Sequence, residues 1–180
     1  MAIKTKKKLI DTILGKDKEK VEKFRNKVLN EHLDIEASLD LALRIFFFGK
    51  DWQREKADYF HKLVLTTVNF RRKVEILYQI VRNPKYKIIL EKCFTIKIDV
   101  NHNTITFLKE NTKINYKTLY KHLQKVHDIR NHLCHNICYG FKWVAPVLEK
   151  DQKGTEKDFD EAVRYINGAI EKFSLYLDVD

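Results

Sequence analysis

Residues 127–136 read HDIRNHLCHN, crowding one arginine, three histidines, one cysteine and two asparagines into ten positions. Arg130 offers a charge that is never lost and a planar fork of donors suited to a phosphate. His135, with an ordinary pKa of about 6.5, can take or give a proton near neutral pH. Asn131 can orient His135 or donate to a phosphate oxygen. Together the three suit proton transfer around a phosphodiester. They suit a satisfied polar patch equally well, so the elements that hold them must decide.

At about 100° per residue, Leu119, Leu123, Val126, Arg130, Leu133 and Ile137 fall near one line down a helix. Arg130 is therefore centred on an apolar stripe. A guanidinium there is costly unless it is paired or lines a wet cleft. Asn131 and His135, four apart, share a neighbouring face. In an unbroken helix Arg130 and His135 diverge by about 140°, so they converge only at a helix end, at a kink or across a second subunit. Upstream, LDIEASLDLALRIFFFGK is apolar on most sides except for Glu36, Asp40 and Arg44, which form one stripe at spacing four. Glu36 or Asp40 can pair with Arg130 simply to hold the bundle, or can back a working site together with His132.

The remaining chain supplies the frame. Residues 1–17 form a basic arm, and residues 18–180 a single domain. DKEKVEKFRNKVLNEH predicts a first helix, and LDIEASLDLALRIFFFGK a second that ends at Gly49. Asp51 is placed to cap a third, with Trp52, Tyr59, Phe60, Leu63 and Val64 inward. Asn69 caps a fourth, FRRKVEILYQIVR, stopped by Asn83-Pro84, and KYKIILEKC is a short fifth. Phe94, Ile96, Ile98 and Val100 then alternate with polar residues, and Ile105 and Phe107 resume after NHN, which predicts a β-hairpin. A long helix from about Ile114 carries the motif. Gly140 and Pro146 interrupt the chain, and Thr155 caps a last helix. The expected fold is all-α, a bundle of five to six helices with a small β-hairpin inserted before the motif helix.

Composition narrows the partners. The net charge is +10, and residues 1–90 carry 21 Lys and Arg against 12 Asp and Glu. A basic half favours polyanions, nucleic acid first, though a lysine-rich solvated surface reads the same way. No run approaches the roughly 20 apolar residues of a membrane span. The N-terminus lacks the apolar stretch of a secretory signal, and three cysteines without framework spacing suit a reducing compartment, so a cytoplasmic location is expected.

These residues also carry a family resemblance. RNHLCH resembles the R-x4-6-H signature of the HEPN superfamily of nucleotide-binding and RNA-cleaving helical domains, with the polar Asn131 directly after Arg130. The upstream LDIEASLDLAL and NFRRKVEIL are similar to small prokaryotic members, and the likeness spans about residues 30–178. The resemblance implies a symmetric homodimer that brings two motif copies together. It implies a metal-independent endoribonuclease in a toxin–antitoxin or antiviral defence setting, partnered by a cognate antitoxin or another defence protein, with no cofactor. Arg130, Asn131 and His135 would be the catalytic set, with one histidine as base and its symmetry mate as acid. RNA would be left with 2′,3′-cyclic phosphate and 5′-hydroxyl ends. Other members have lost activity, so a silent dimeric module binding RNA, nucleotide or a partner protein is the alternative.

Several further residues invite a role. Arg71, Arg72 and Lys73 open a helix where positive charge opposes the dipole, which suits phosphate contact or a solvated face. Lys117, Lys121 and Lys125 form a row at spacing four that can guide an RNA backbone toward Arg130 or serve solubility. His132, Cys134, His135 and Cys138 invite zinc. Four ligands within seven residues of one helix cannot surround a tetrahedral ion without unwinding it, so no metal is expected. His127, one turn before the motif, reads as a packing or capping residue, and His32, His61, His102 and His122 as isolated surface or packing residues.

Overall fold

A computed structural model describes the backbone at 2–51, 53–137 and 144–175, and side chains within 19–133 and 156–172 except at positions 21, 50, 52, 93, 132 and 171. Six α-helices and a small antiparallel sheet follow one another in it, so the class is mainly α. Helix α1 runs unbroken over Ala2–Phe48. The breaks expected near residues 17 and 32 are not there, because that stretch holds no proline and its single glycine, Gly15, costs only about 1 kcal/mol in a helix. The helix stops at Gly49, whose φ of 55° suits a residue without a Cβ.

A 3-10 turn (Gly49–Asp51) leads to α2 (Glu55–Phe60), which continues as a π-helical turn over His61–Leu65. Asp51 does not cap α2. Arg54 occupies that position without a side-chain cap, and Asp51 instead takes an ion pair from Arg54 Nε at 2.7 Å. The inward face also differs from expectation. Ala57 and Leu65 are buried, whereas Tyr59, Leu63 and Val64 are exposed; Trp52 lies outside the described residues. The π turn shifts the helical phase, so a 3.6-residue pattern drawn through it points the wrong side inward.

Helix α3 (Phe70–Arg82) starts where expected, with Asn69 Oδ1 accepting from the Arg72 backbone N–H at 2.9 Å. It ends at Asn83, which then caps α4 (Pro84–Cys93) with Pro84 at its first position. The predicted hairpin is present as β1 (Ile96–Asp99) and β2 (Thr104–Phe107), but a third strand, β3 (Thr112–Asn115), extends it to a meander in the order β1-β2-β3. Ile98 pairs with Ile105, and Ile105 with Ile114, all buried against the helices. Asn111, with φ 51°, makes the second turn in a conformation that asparagine tolerates.

Helix α5 (Tyr116–Ile137) carries the motif and starts two residues later than expected, capped by Asn115 Oδ1 on the Thr118 N–H at 2.9 Å. It packs against α1, α3 and α6 (Val144–Leu175). Helix α6 begins at Val144 rather than at Thr155. Pro146 falls in its first turn, where a missing N–H costs nothing. Phe24, Val28, Leu39, Leu43, Val74, Leu123, Val126, Phe159 and Ile166 fill the core between these helices. No helix among the described residues is long and apolar enough to cross a membrane.

Candidate functional site

The polar stripe of α1 is longer than the three residues that mark it in the sequence. His32, Glu36, Asp40 and Arg44 follow at spacing four, and each meets a polar group on a neighbouring element. Lys73 of α3 places its ammonium 2.8 Å from Glu36 Oε1 and 2.8 Å from Asp40 Oδ1, and is only 2% exposed. His61 Nε2 stands 3.4 Å from Asp40 Oδ2, and Arg44 pairs with Asp58 of α2 at 2.5 Å. Burial pulls the Lys73 pKa down, but the hydrogen bonds it donates to Asp40 and Glu36 and the charges of those carboxylates outweigh it and hold the group above 10.5.

Lys73 therefore does not belong to the RNA-contacting set in which the sequence places it. On α3, Phe70, Lys73, Val74, Leu77 and Val81 share one face, so the lysine sits within the apolar stripe just as Arg130 does on α5. Arg71 and Arg72 point outward, and both bind Glu75, at 3.5 and 3.1 Å.

Arg130 takes neither of the acids proposed for it. Among the described residues no carboxylate forms an ion pair with its guanidinium. One terminal N–H donates to Asn131 Oδ1 at 2.9 Å, and the half-buried side chain leaves its Nε buried without a partner. Asn131 Nδ2 then lies 2.9 Å from His127 Nε2, and His127 Nδ1 lies 3.4 Å from His32 Nε2. His32 Nδ1 in turn faces Glu36 Oε2 at 3.9 Å. A polar chain thus runs from Arg130 through Asn131, His127 and His32 to the Glu36–Lys73–Asp40 cluster. Phe70 packs against both imidazoles, stacked on His127 at 5.1 Å and tilted against His32 at 4.3 Å.

The surroundings of both imidazoles favour the neutral ring. Burial lowers the His32 pKa to about 4, and the nearby Arg130, His127 and Lys73 push in the same direction against Glu36. Burial likewise lowers His127, helped by Arg130 and Arg71 and opposed by Asp128 and Glu36. His32 and His127 were both legible as something more than isolated or packing residues. His32 extends the α1 stripe by one turn, and His127 precedes Asn131 by four.

His135 lies in α5 one turn beyond Asn131, but its side chain, like those of His132 and Cys134, lies outside the described residues, as does Cys138 altogether. Among the described residues no three histidines, cysteines or acids gather as a metal site. Lys117 and Lys121 are exposed on α5, whereas Lys125 is bound to Asp158 of α6 at 2.8 Å. Lys121 and Lys125 share an open groove with Asp128 and Asp158, so its charges balance. Comparison of this chain with protein-family models, curated proteins and solved structures yields no match in any of the three.

Proposed function

We propose that this chain is a metal-independent endoribonuclease of HEPN type, working as a homodimer in a toxin or defence setting. The observation that carries the reading is the state of Arg130. The two acids of the α1 stripe are occupied by Lys73, and the guanidinium's polar contact among the described residues is the neutral Asn131 amide oxygen, so its charge is left for a ligand from outside the fold. A guanidinium on an apolar helix face with no carboxylate partner is stabilised when an anion arrives to meet it. A phosphodiester is such an anion, and a basic protein favours its approach.

In the proposed reaction an imidazole, assigned to His135 by the family resemblance, removes the 2′-hydroxyl proton. The 2′-oxygen then attacks phosphorus while Arg130 stabilises the charge on the phosphorane oxygens. The 5′-oxygen leaves with a proton from a second imidazole, given by the symmetry mate. The products are a 2′,3′-cyclic phosphate and a 5′-hydroxyl. Incubating the purified protein with single-stranded RNA in EDTA and mapping the ends of the products tests this. Cleavage that is lost in Arg130→Ala and His135→Ala is expected.

One observation favours a second reading, a silent module that binds RNA, nucleotide or a partner protein. His127 has both ring nitrogens facing polar partners within the chain, and buried His32 turns its Nε2 to His127, so this pair of imidazoles is engaged inside the fold rather than presented to a substrate. RNA binding with steep salt dependence and no cut product would select it.

A further inference from the structure

The hydrogen-bond chain behind Arg130 has a fixed polarity, and that polarity starts at the arginine. Guanidinium can only donate, so the Asn131 atom beside it at 2.9 Å must be the carbonyl oxygen. The amide nitrogen is then the atom 2.9 Å from His127 Nε2, and it can only donate as well. His127 Nε2 must carry a lone pair, which leaves the ring proton on Nδ1, aimed at His32 Nε2. Accepting at Nε2 leaves His32 with its own proton on Nδ1, on the side of Glu36, whose Oε2 stands 3.9 Å away. Asn131 and His127 each have one orientation that satisfies both neighbours.

We propose that His127 is a positioning residue: it fixes the Asn131 amide so that the amide oxygen, rather than the nitrogen, holds the Arg130 guanidinium, while His32 across the helix interface accepts from the His127 Nδ1 proton. The proposal rests on the ribonuclease reading only for its effect on catalysis; the orientation itself does not depend on it. Phe70, stacked flat on the His127 ring, holds the plane of the imidazole. A proton added to His127 Nε2 would face the Asn131 nitrogen, donor against donor. The amide would have to turn, presenting its nitrogen to Arg130 and releasing the guanidinium. The charged and titratable groups around His127 are His32 and Glu36 from α1, Arg71 from α3, and Asp128 and Arg130 from α5. Burial, the largest influence, and the two arginines favour the neutral ring, so the latch is closed at neutral pH.

Two variants separate positioning from packing. His127→Phe keeps a ring on Phe70 but offers no acceptor, and His127→Gln offers an amide oxygen to Asn131 and cannot titrate. In the full-length protein, nitrogen-15 NMR should show His127 with its proton on Nδ1 and the Arg130 guanidinium turning slowly. His127→Phe should speed that rotation, and His127→Gln should restore it. With RNA as substrate, His127→Phe should lower kcat about 10- to 100-fold with KM within about threefold, because a misplaced guanidinium costs rate more than binding. His127→Gln should recover most of kcat and lose the acid limb that His127 imposes on the pH profile. A His127 proton on Nε2, or an Arg130 rotation rate unchanged in His127→Phe, overturns the proposal. Wild-type protein that cuts no RNA overturns the ribonuclease reading instead, and the NMR outcome still decides this one.

Discussion

Lys73 meets Asp40 at 2.8 Å inside the bundle, and this pairing leaves Arg130 without a carboxylate. Two cations sit on apolar helix faces, on α3 and on α5, and the stripe of α1 offers two buried or half-buried acids. Lysine takes both. The arginine keeps only a neutral amide. The division of partners sets one cation to hold the fold and leaves the other available.

Lys73→Met should therefore destabilise the protein severely. Removing one member of a buried ion cluster leaves the others uncompensated, at a cost of about 3 kcal/mol or more. Urea denaturation should show the midpoint falling, with RNA binding unchanged in whatever fraction remains folded. Alkali should act at the same place. The Lys73 pKa is raised on folding, so its contribution is complete below about 10.5 and is lost as pH climbs through the higher folded value. A midpoint unmoved in Lys73→Met would mean that the cluster contributes little.

Arg130→Met should behave differently. The substitution removes a buried Nε that has no partner, but it also takes the donor from Asn131 Oδ1. The two effects offset, so stability should move by less than about 1 kcal/mol, while RNA cleavage and anion binding disappear. Loss of function without loss of stability is the pattern expected where a charge is kept for its ligand. A lowered melting temperature in Arg130→Met would instead give the arginine a structural role.

Much of this frame could be read from local chemistry. Asn69 and the Asn83-Pro84 pair mark helix boundaries by hydrogen bonds and steric limits that act within a few residues, and both stand where expected. The third strand escaped because Thr112–Asn115 has a single buried side chain, Ile114, and four residues cannot display an alternating period. The start of α6 escaped because Pro146 reads as a breaker unless the helix is already known to begin just before it. Within the site, Arg130 and Asn131 were singled out, but His127, His32 and the role of Lys73 were not. Spacing alone put Lys73 on the apolar face of α3. What spacing could not supply was which of two cations the acids would choose, since that depends on how α1, α3 and α5 pack.

Acid should weaken the fold through His32. Its pKa falls from 6.5 to about 4 on folding, so between these values the unfolded chain binds more protons than the folded one. Stability is complete above pH 6.5 and declines as pH drops toward 4, by on the order of 2–3 kcal/mol from this group. Replacing His32 with Leu should flatten the decline over that window. Denaturation midpoints measured at half-unit steps from pH 7 to pH 4 check it, and an equal slope in wild type and His32→Leu would assign the acid sensitivity elsewhere.

The lysine row should prove unequal. Lys117 and Lys121 are free to meet a phosphate backbone, whereas Lys125 is already bound to Asp158, whose carboxyl the lysine's hydrogen bond and charge hold below its usual range. For single-stranded RNA, Lys117→Ala and Lys121→Ala should each reduce the slope of log affinity against log salt by about 0.7. Lys125→Ala should change it less, because its charge is locally cancelled. Asp158→Asn should strengthen binding by releasing Lys125 and tipping the groove positive. Salt titrations of the four variants decide the matter, and three lysines with identical effects would show that the Asp158 contact does not persist when RNA approaches.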